Sequence, residues 1–228
     1  IGFVLGAGRG KGFATDYSDY DISIIVKDDK KKECSERYDK YHETEIIDIG
    51  VCTVTEYRNY AAWGSEESAH RYGFSYLKAQ IDKTGEIQKI IDEKGVIPPD
   101  KVREFVSKEL DGYMNLYYRS LKNHRESNML AFHLDGTESM FYLLNIVFGV
   151  EGRSRPYNKF LEWDIKEHPL KLLPWPSDEF VGKISKIMTT GDVDAQKEIF
   201  NKICDLFRKE GYGKVIDGWK GYFILNGQ

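Results

Sequence analysis

The sequence predicts an α+β protein, with a small mixed sheet and flanking helices over residues 1–97 followed by a helical bundle over 98–228. Three observations predict this division. The first half alternates short β-branched runs with turn clusters, the second half carries a 3.6-residue apolar period, and Ile97-Pro98-Pro99-Asp100 stands between them. Pro99 and Asp100 are suited to starting a helix, so the joint is also the predicted domain boundary, and a cleft between two such halves is a common place for a ligand.

Strands are expected at Ile1–Leu5, Asp21–Lys27, Thr44–Val54 and Phe74–Ile81, with a helix over Thr55–Trp63 between the last two. The charged run Asp28-Asp29-Lys30-Lys31-Lys32-Glu33 is read as a solvated connection. In the second half, helices are expected at about 100–125, 129–149, 157–167, 177–189 and 192–210, broken by Gly152, Pro156, Pro169, Pro174, Pro176 and Gly191.

With 228 residues, the chain is long enough to bury a sizeable core. Its 41% hydrophobic and 31% charged content is that of a globular protein rather than a disordered one. A net charge of −4 and a pI near 5.8 argue against a long nucleic acid as partner. Cys34, Cys52 and Cys204 are far apart and form no C-x-x-C pair, so neither a zinc site nor a disulfide framework is indicated. No apolar run approaches the roughly 18 residues that span a bilayer, so no membrane is expected and a reducing cytoplasm is. Because the chain opens without methionine in a strand-like segment, upstream residues are expected.

The most informative stretch is Gly6-Ala7-Gly8-Arg9-Gly10-Lys11-Gly12, entered from an apolar strand and followed by Ser18-Asp19-Tyr20-Asp21-Ile22. A glycine-rich turn lets backbone N–H groups approach phosphate oxygens, and Arg9 or Lys11 would add charge. Two better-known phosphate motifs are excluded. A G-x-G-x-x-G would need glycine where Lys11 stands, and a Walker A loop would need glycine at Leu5 and Ser or Thr at Gly12.

Residues two apart on a strand share a face, so Asp19 and Asp21 bring two carboxylates together, and such a pair repels unless a cation joins it. Mg²⁺ takes oxygen ligands from carboxylates and from substrate phosphates. Asp48, in Ile46-Ile47-Asp48-Ile49, is a charge in an apolar strand and the natural third ligand. Three carboxylates suit two metal ions. The competing reading makes Asp19 a turn residue and Asp21 a strand cap.

These residues resemble the motif of the DNA polymerase beta-like nucleotidyltransferase superfamily: a strand and glycine turn (Phe3-Val4-Leu5-Gly6-Ala7), Arg9-Gly10, Ser18-Asp19-Tyr20-Asp21-Ile22, and Ile47-Asp48-Ile49. The resemblance covers roughly the first 80 residues. It implies transfer of a nucleoside monophosphate, usually AMP from ATP, with Mg²⁺ and release of pyrophosphate. Asp19, Asp21 and Asp48 would be catalytic and metal-binding, and Gly6, Ala7, Arg9 and Ser18 nucleotide-binding. The family usually has serine where Ala7 stands, so a hydroxyl that would contact the triphosphate is missing. The second half resembles, less specifically, the helical domains of bacterial aminoglycoside and lincosamide nucleotidyltransferases, through Tyr118 to Lys122, Asp135 to Ser139, Arg155 to Lys159, and Leu161-Glu162-Trp163.

On the helix starting near Asp100, Asn115, Arg119 and Lys122 share a face that would meet a triphosphate or else form a solvated stripe. Asp135 and Glu138 are candidates for binding an amine or deprotonating an acceptor hydroxyl, or are ordinary helix-start acids. Lys159 and Arg155 are candidate phosphate ligands, with pairing to Glu162 or Glu151 as the alternative. Glu66 and Glu67 are weaker candidates for a general base, and the five histidines show no metal-ligand spacing. The leading reading is transfer of AMP to a hydroxyl of a small molecule. Two others are a protein acceptor, as in toxin and antitoxin pairs, and a nucleotide-binding module without turnover.

Overall fold

The computed structural model describes residues 1–221. The fold is α+β, and the chain divides into two compact units, Ile1–Pro98 and Pro99–Gln228.

The first unit is built on a four-stranded sheet of β1 (Gly2–Leu5), β2 (Tyr20–Val26), β3 (Ile47–Thr53) and β4 (Ala79–Asp82) in the order β3-β2-β1-β4. β1 runs antiparallel to β2 and β4, whereas β2 and β3 are parallel. Alternation along β1 buries Gly2 and Val4, and Gly2 lies opposite Ile25. A side chain at Gly2 would stand 2.8 Å from Ile87, so only glycine lets the helix carrying Ile87 lie on the sheet. That helix is α4 (Glu86–Lys94), whose Ile87, Ile90 and Ile91 join Val4, Ile25, Tyr57 and Phe74 in the core.

Three differences from the sequence reading have physical causes. The Gly6–Gly12 stretch is a short helix, α1 (Ala7–Lys11), closed by Gly12 at φ 82°. The charged run becomes a 3-10 turn at Asp28–Lys30 leading into α2 (Lys31–Tyr38). α2 has no fully buried residue and therefore no apolar period to read; Lys31 pairs with Glu56 and Arg37 lies 3.7 Å from Glu33. The fourth strand is confined to Ala79–Asp82, because Glu66–Phe74 forms 3-10 turns tied down by buried cations. Lys11 donates to the carbonyls of Tyr72 (2.8 Å), Gly73 (3.2 Å) and Ser75, while Arg71 donates to those of Ala61 (3.3 Å), Glu93 (2.7 Å) and Val96 (2.8 Å). The helix after β3, α3 (Val54–Asn59), starts with a capping box in which Thr53 Oγ1 accepts from the Glu56 amide and Glu56 accepts from the Thr53 amide.

The second unit contains α5 (Val102–Arg125), α6 (Met129–Gly149), α7 (Leu161–Glu167), α8 (Ser177–Thr190), α9 (Val193–Lys209) and α10 (Gly213–Asp217). Asn128 caps α6 and Asp192 caps α9, while Gly191 ends α8 in the left-handed conformation at φ 67°. Their apolar faces form one core in which Tyr117 stacks on Phe200 with ring centroids 3.9 Å apart. Ser120 hydrogen-bonds with Gln196 (2.9 Å), and a side chain at Gly136 would stand only 3.2 Å from both. No helix among the described residues is long and apolar enough to cross a membrane.

Candidate functional site

The candidate site lies at the end of the sheet where α1 leaves β1 and where β2 and β3 begin. In the parallel pairing of β2 and β3, Asp21 and Asp48 are direct Cα partners, so they occupy adjacent positions on one side of the sheet. Asp19 precedes β2 by one residue. The Asp21 carbonyl accepts from the Gly6 amide at 2.7 Å, which fastens the start of the α1 turn to the strand carrying the aspartates. A Cβ at Gly6 would lie 3.5 Å from the Asp21 Cβ, so the turn and the carboxylate sit side by side.

Ala7 has φ 42°, in the left-handed region that non-glycine residues seldom adopt. This strained turn directly follows Gly6, whose amide is bonded to the Asp21 carbonyl. Gly10 has a packing role, since a Cβ there would fall 2.0 Å from the Leu5 carbonyl oxygen. Lys11 is buried, with its ammonium among the Tyr72, Gly73 and Ser75 carbonyls. It anchors α1 and does not supply the charge for phosphate that its place in the glycine stretch suggested.

Arg9 reaches forward. Its Nε donates to the carbonyls of Ser18 (3.2 Å) and Asp19 (3.1 Å), its Nη2 donates to Ser18 (2.7 Å), and its guanidinium lies 4.1 Å from the Tyr20 ring centroid. Ser18 Oγ accepts from the Thr15 amide at 2.9 Å, so this hydroxyl shapes the turn that leads into β2.

Asp48 is engaged by its own loop. Its Oδ1 accepts from the Glu43 amide at 2.8 Å and meets His42 Nδ1 at 3.0 Å. The Glu43 N–H, with help from His42, holds the Asp48 carboxyl below its usual range against partial burial, and the bond to Asp48 raises the His42 imidazole. Sequence reasoning missed His42. Its only signal was its position six residues before Asp48, across a turn closed by Glu43 at φ 53°. The donor chemistry suits a hard cation, being all carboxylate oxygen at Asp19, Asp21 and Asp48. Among the described residues, no three His, Cys, Asp or Glu side chains are grouped so that they could hold a metal ion. Asp21 and Asp48 are therefore neighbours in the sheet, with Asp19 just before it, without forming a closed ligand shell.

No family model matches the chain, and no curated protein matches it. What the site can do rests on its own geometry.

In the second unit, Asp135 is buried on α6. It accepts from Asn123 at 2.7 Å and lies 3.3 Å from Arg119, so it ties α6 to α5. Lys122, Glu138 and Lys159 are exposed, with Lys159 lying 5.9 Å from the Phe160 ring centroid. Arg155 donates to Asn158 at 2.7 Å and lies over the Phe141 ring, whereas Glu151 accepts from the Leu172 amide at 2.8 Å. Glu66 and Glu67 open the 3-10 segment and are exposed.

Proposed function

We propose that this protein is a Mg²⁺-dependent nucleotidyltransferase that moves a nucleoside monophosphate, AMP from ATP, to a hydroxyl of a small molecule of the aminoglycoside kind. The observation that carries the reading is the in-register pairing of Asp21 with Asp48, with Asp19 two residues upstream and the Gly6 turn bonded to Asp21. The parallel register sets the two aspartates at neighbouring positions of the sheet, and carboxylate oxygens are the donors that a hard divalent cation takes.

Under this reading Asp19, Asp21 and Asp48 would contribute ligands to two Mg²⁺ ions, substrate phosphate oxygens would complete the shells, and the triphosphate would lie beside the Gly6–Ala7 turn. The bound metal would polarise the α-phosphate and neutralise charge on the departing pyrophosphate. The acceptor oxygen attacks the α-phosphorus to form a new P–O bond, and the bond from that phosphorus to the bridging oxygen breaks. Pyrophosphate leaves, and the acceptor proton passes to a carboxylate base. In the helical unit, taken by itself, Arg119 and Asp135 are engaged with each other, which makes Lys122, Lys159 and Glu138 the exposed candidates there for contact with a small molecule.

A nucleotide sensor without turnover is the second reading, favoured by the missing hydroxyl at Ala7 and by the engagement of Asp48 with His42. Calorimetric titration with ATP separates the two. The transferase reading expects affinity that falls at least tenfold on removing Mg²⁺ and in Asp21→Asn; Mg²⁺-independent binding would favour the sensor. A protein acceptor remains the further alternative, detected as AMP on a co-purified partner by mass spectrometry.

A further inference from the structure

We infer that Arg9 is a positioning residue, a guanidinium clamp that sets the segment Ser18-Asp19-Tyr20, and not a phosphate ligand. This rests on the nucleotidyltransferase reading only for its catalytic consequence. The clamp itself follows from the contacts.

Three features combine. Arg9 Nε is shared between two successive carbonyls, Ser18 (3.2 Å) and Asp19 (3.1 Å), and Nη2 adds a second bond to Ser18 at 2.7 Å. The planar fork also lies 4.1 Å from the Tyr20 ring centroid, gripping the same segment from its side-chain face. α1 is itself pinned at its far end by Lys11 among three carbonyls, so Arg9 projects from a fixed base. At its far end Tyr20 is also held by β3, through the Ile46 carbonyl and the pairing with Ile47, but the stretch before it is more open. Tyr17 is 96% exposed, and Ser18 is otherwise held by a single turn with Thr15. Without the clamp, the backbone carrying Asp19 would be free to shift relative to Asp21, which is fixed in the sheet.

A lysine cannot reproduce this geometry. An ammonium is a point charge that would still serve a phosphate, whereas the bonds of Arg9 are made by two separate nitrogens, Nε and Nη2, and a lysine has only one to offer. Arg9→Lys therefore separates positioning from phosphate binding.

The test compares wild type, Arg9→Lys and Arg9→Met by amide hydrogen exchange, using Ser18 and Tyr20, whose N–H groups bond to the Thr15 and Ile46 carbonyls. Ile25 and Val26 within β2 report whether the fold is retained. Exchange at Ser18 and Tyr20 should be at least tenfold faster in both variants, with Ile25 and Val26 unchanged. Equal exchange in Arg9→Lys and wild type would overturn the clamp. A Mn²⁺ titration by paramagnetic relaxation adds the catalytic arm, with affinity expected to fall about tenfold in both variants. Mn²⁺ affinity unchanged from wild type in both variants would show that the clamp does not set the metal-binding geometry. Should wild type bind no Mn²⁺, the nucleotidyltransferase reading fails while the exchange data still decide the clamp.

Discussion

Lys94 gives the sharpest stability prediction. It is 6% exposed, its ammonium donates to the carbonyls of Tyr57 (2.6 Å) and Tyr60, and it lies 4.7 Å from the Phe74 ring centroid. None of the ion pairs among the described residues gives it a carboxylate. Burial, and after it repulsion from Arg71 and Arg58, lowers its pKa from 10.5 to about 8. The unfolded chain then binds more protons than the folded one between those values. Stability carries the full penalty below pH 8 and gains as the pH rises toward 10.5. The whole shift corresponds to about 3 kcal/mol, and the part recovered between pH 7 and 9 is about 1 kcal/mol. Lys94→Met keeps the length of the side chain and removes the titration. Opening free energies from amide exchange at Ile25 and Val26, corrected for intrinsic rates, should shift by about 1 kcal/mol in favour of wild type relative to the variant between pH 7 and 9. The Cys52 thiol, pushed up to about 11 by burial, acts in the opposite sense only above pH 9, outside the interval compared. Parallel pH profiles for the two proteins would show that Lys94 is not depressed in the folded protein.

Other substitutions test local claims. Gly10→Ala drives a methyl group into the Leu5 carbonyl and should destabilise the first unit by about 2 kcal/mol or more in chemical denaturation. Ala7→Gly relieves the left-handed strain and should stabilise by about 1 kcal/mol in the same assay, whereas Ala7→Ser restores the missing hydroxyl and should tighten ATP binding in the Mg²⁺-dependent titration. In the second unit, Asp164 is fully buried and pairs with Arg153; Asp164→Ala leaves that cation unbalanced and should cost about 3–5 kcal/mol, seen as loss of a cooperative thermal transition in the helical unit.

The sequence was most legible where a period or a breaker acts locally. α6 occupies the expected 129–149, and the breakers Pro176 and Gly191 flank α8, because caps and apolar faces there agree with the tertiary core. α4 carried a readable signal at Ile87, Ile90 and Ile91, yet a strand-and-turn reading of the first half passed over it. α2 was illegible for a different reason: a helix without a buried face is fixed by ion pairs and by packing on β3, neither of which leaves a period. At the site, the pairing of β2 with β3 that makes Asp21 and Asp48 neighbours is a non-local fact that spacing alone does not fix. The opposite fates of Arg9 and Lys11, one clamping the aspartate segment and the other buried among carbonyls, depend on which side of a five-residue helix each occupies. A glycine-rich stretch with two cations reads as a phosphate cradle until the packing of Gly10 on Leu5 is known.

Nucleotide transfer is tested most directly by pyrophosphate release from ATP, GTP, CTP and UTP with Mg²⁺ across a panel of aminoglycosides and lincosamides, with Asp19→Ala/Asp21→Ala as the blank. Release that requires one acceptor, is fastest with ATP and vanishes in the blank is the predicted result. Acceptor-dependent release that persists undiminished in the blank would contradict the assignment of the aspartates, and no release from any nucleotide with any acceptor would contradict transfer to a small molecule.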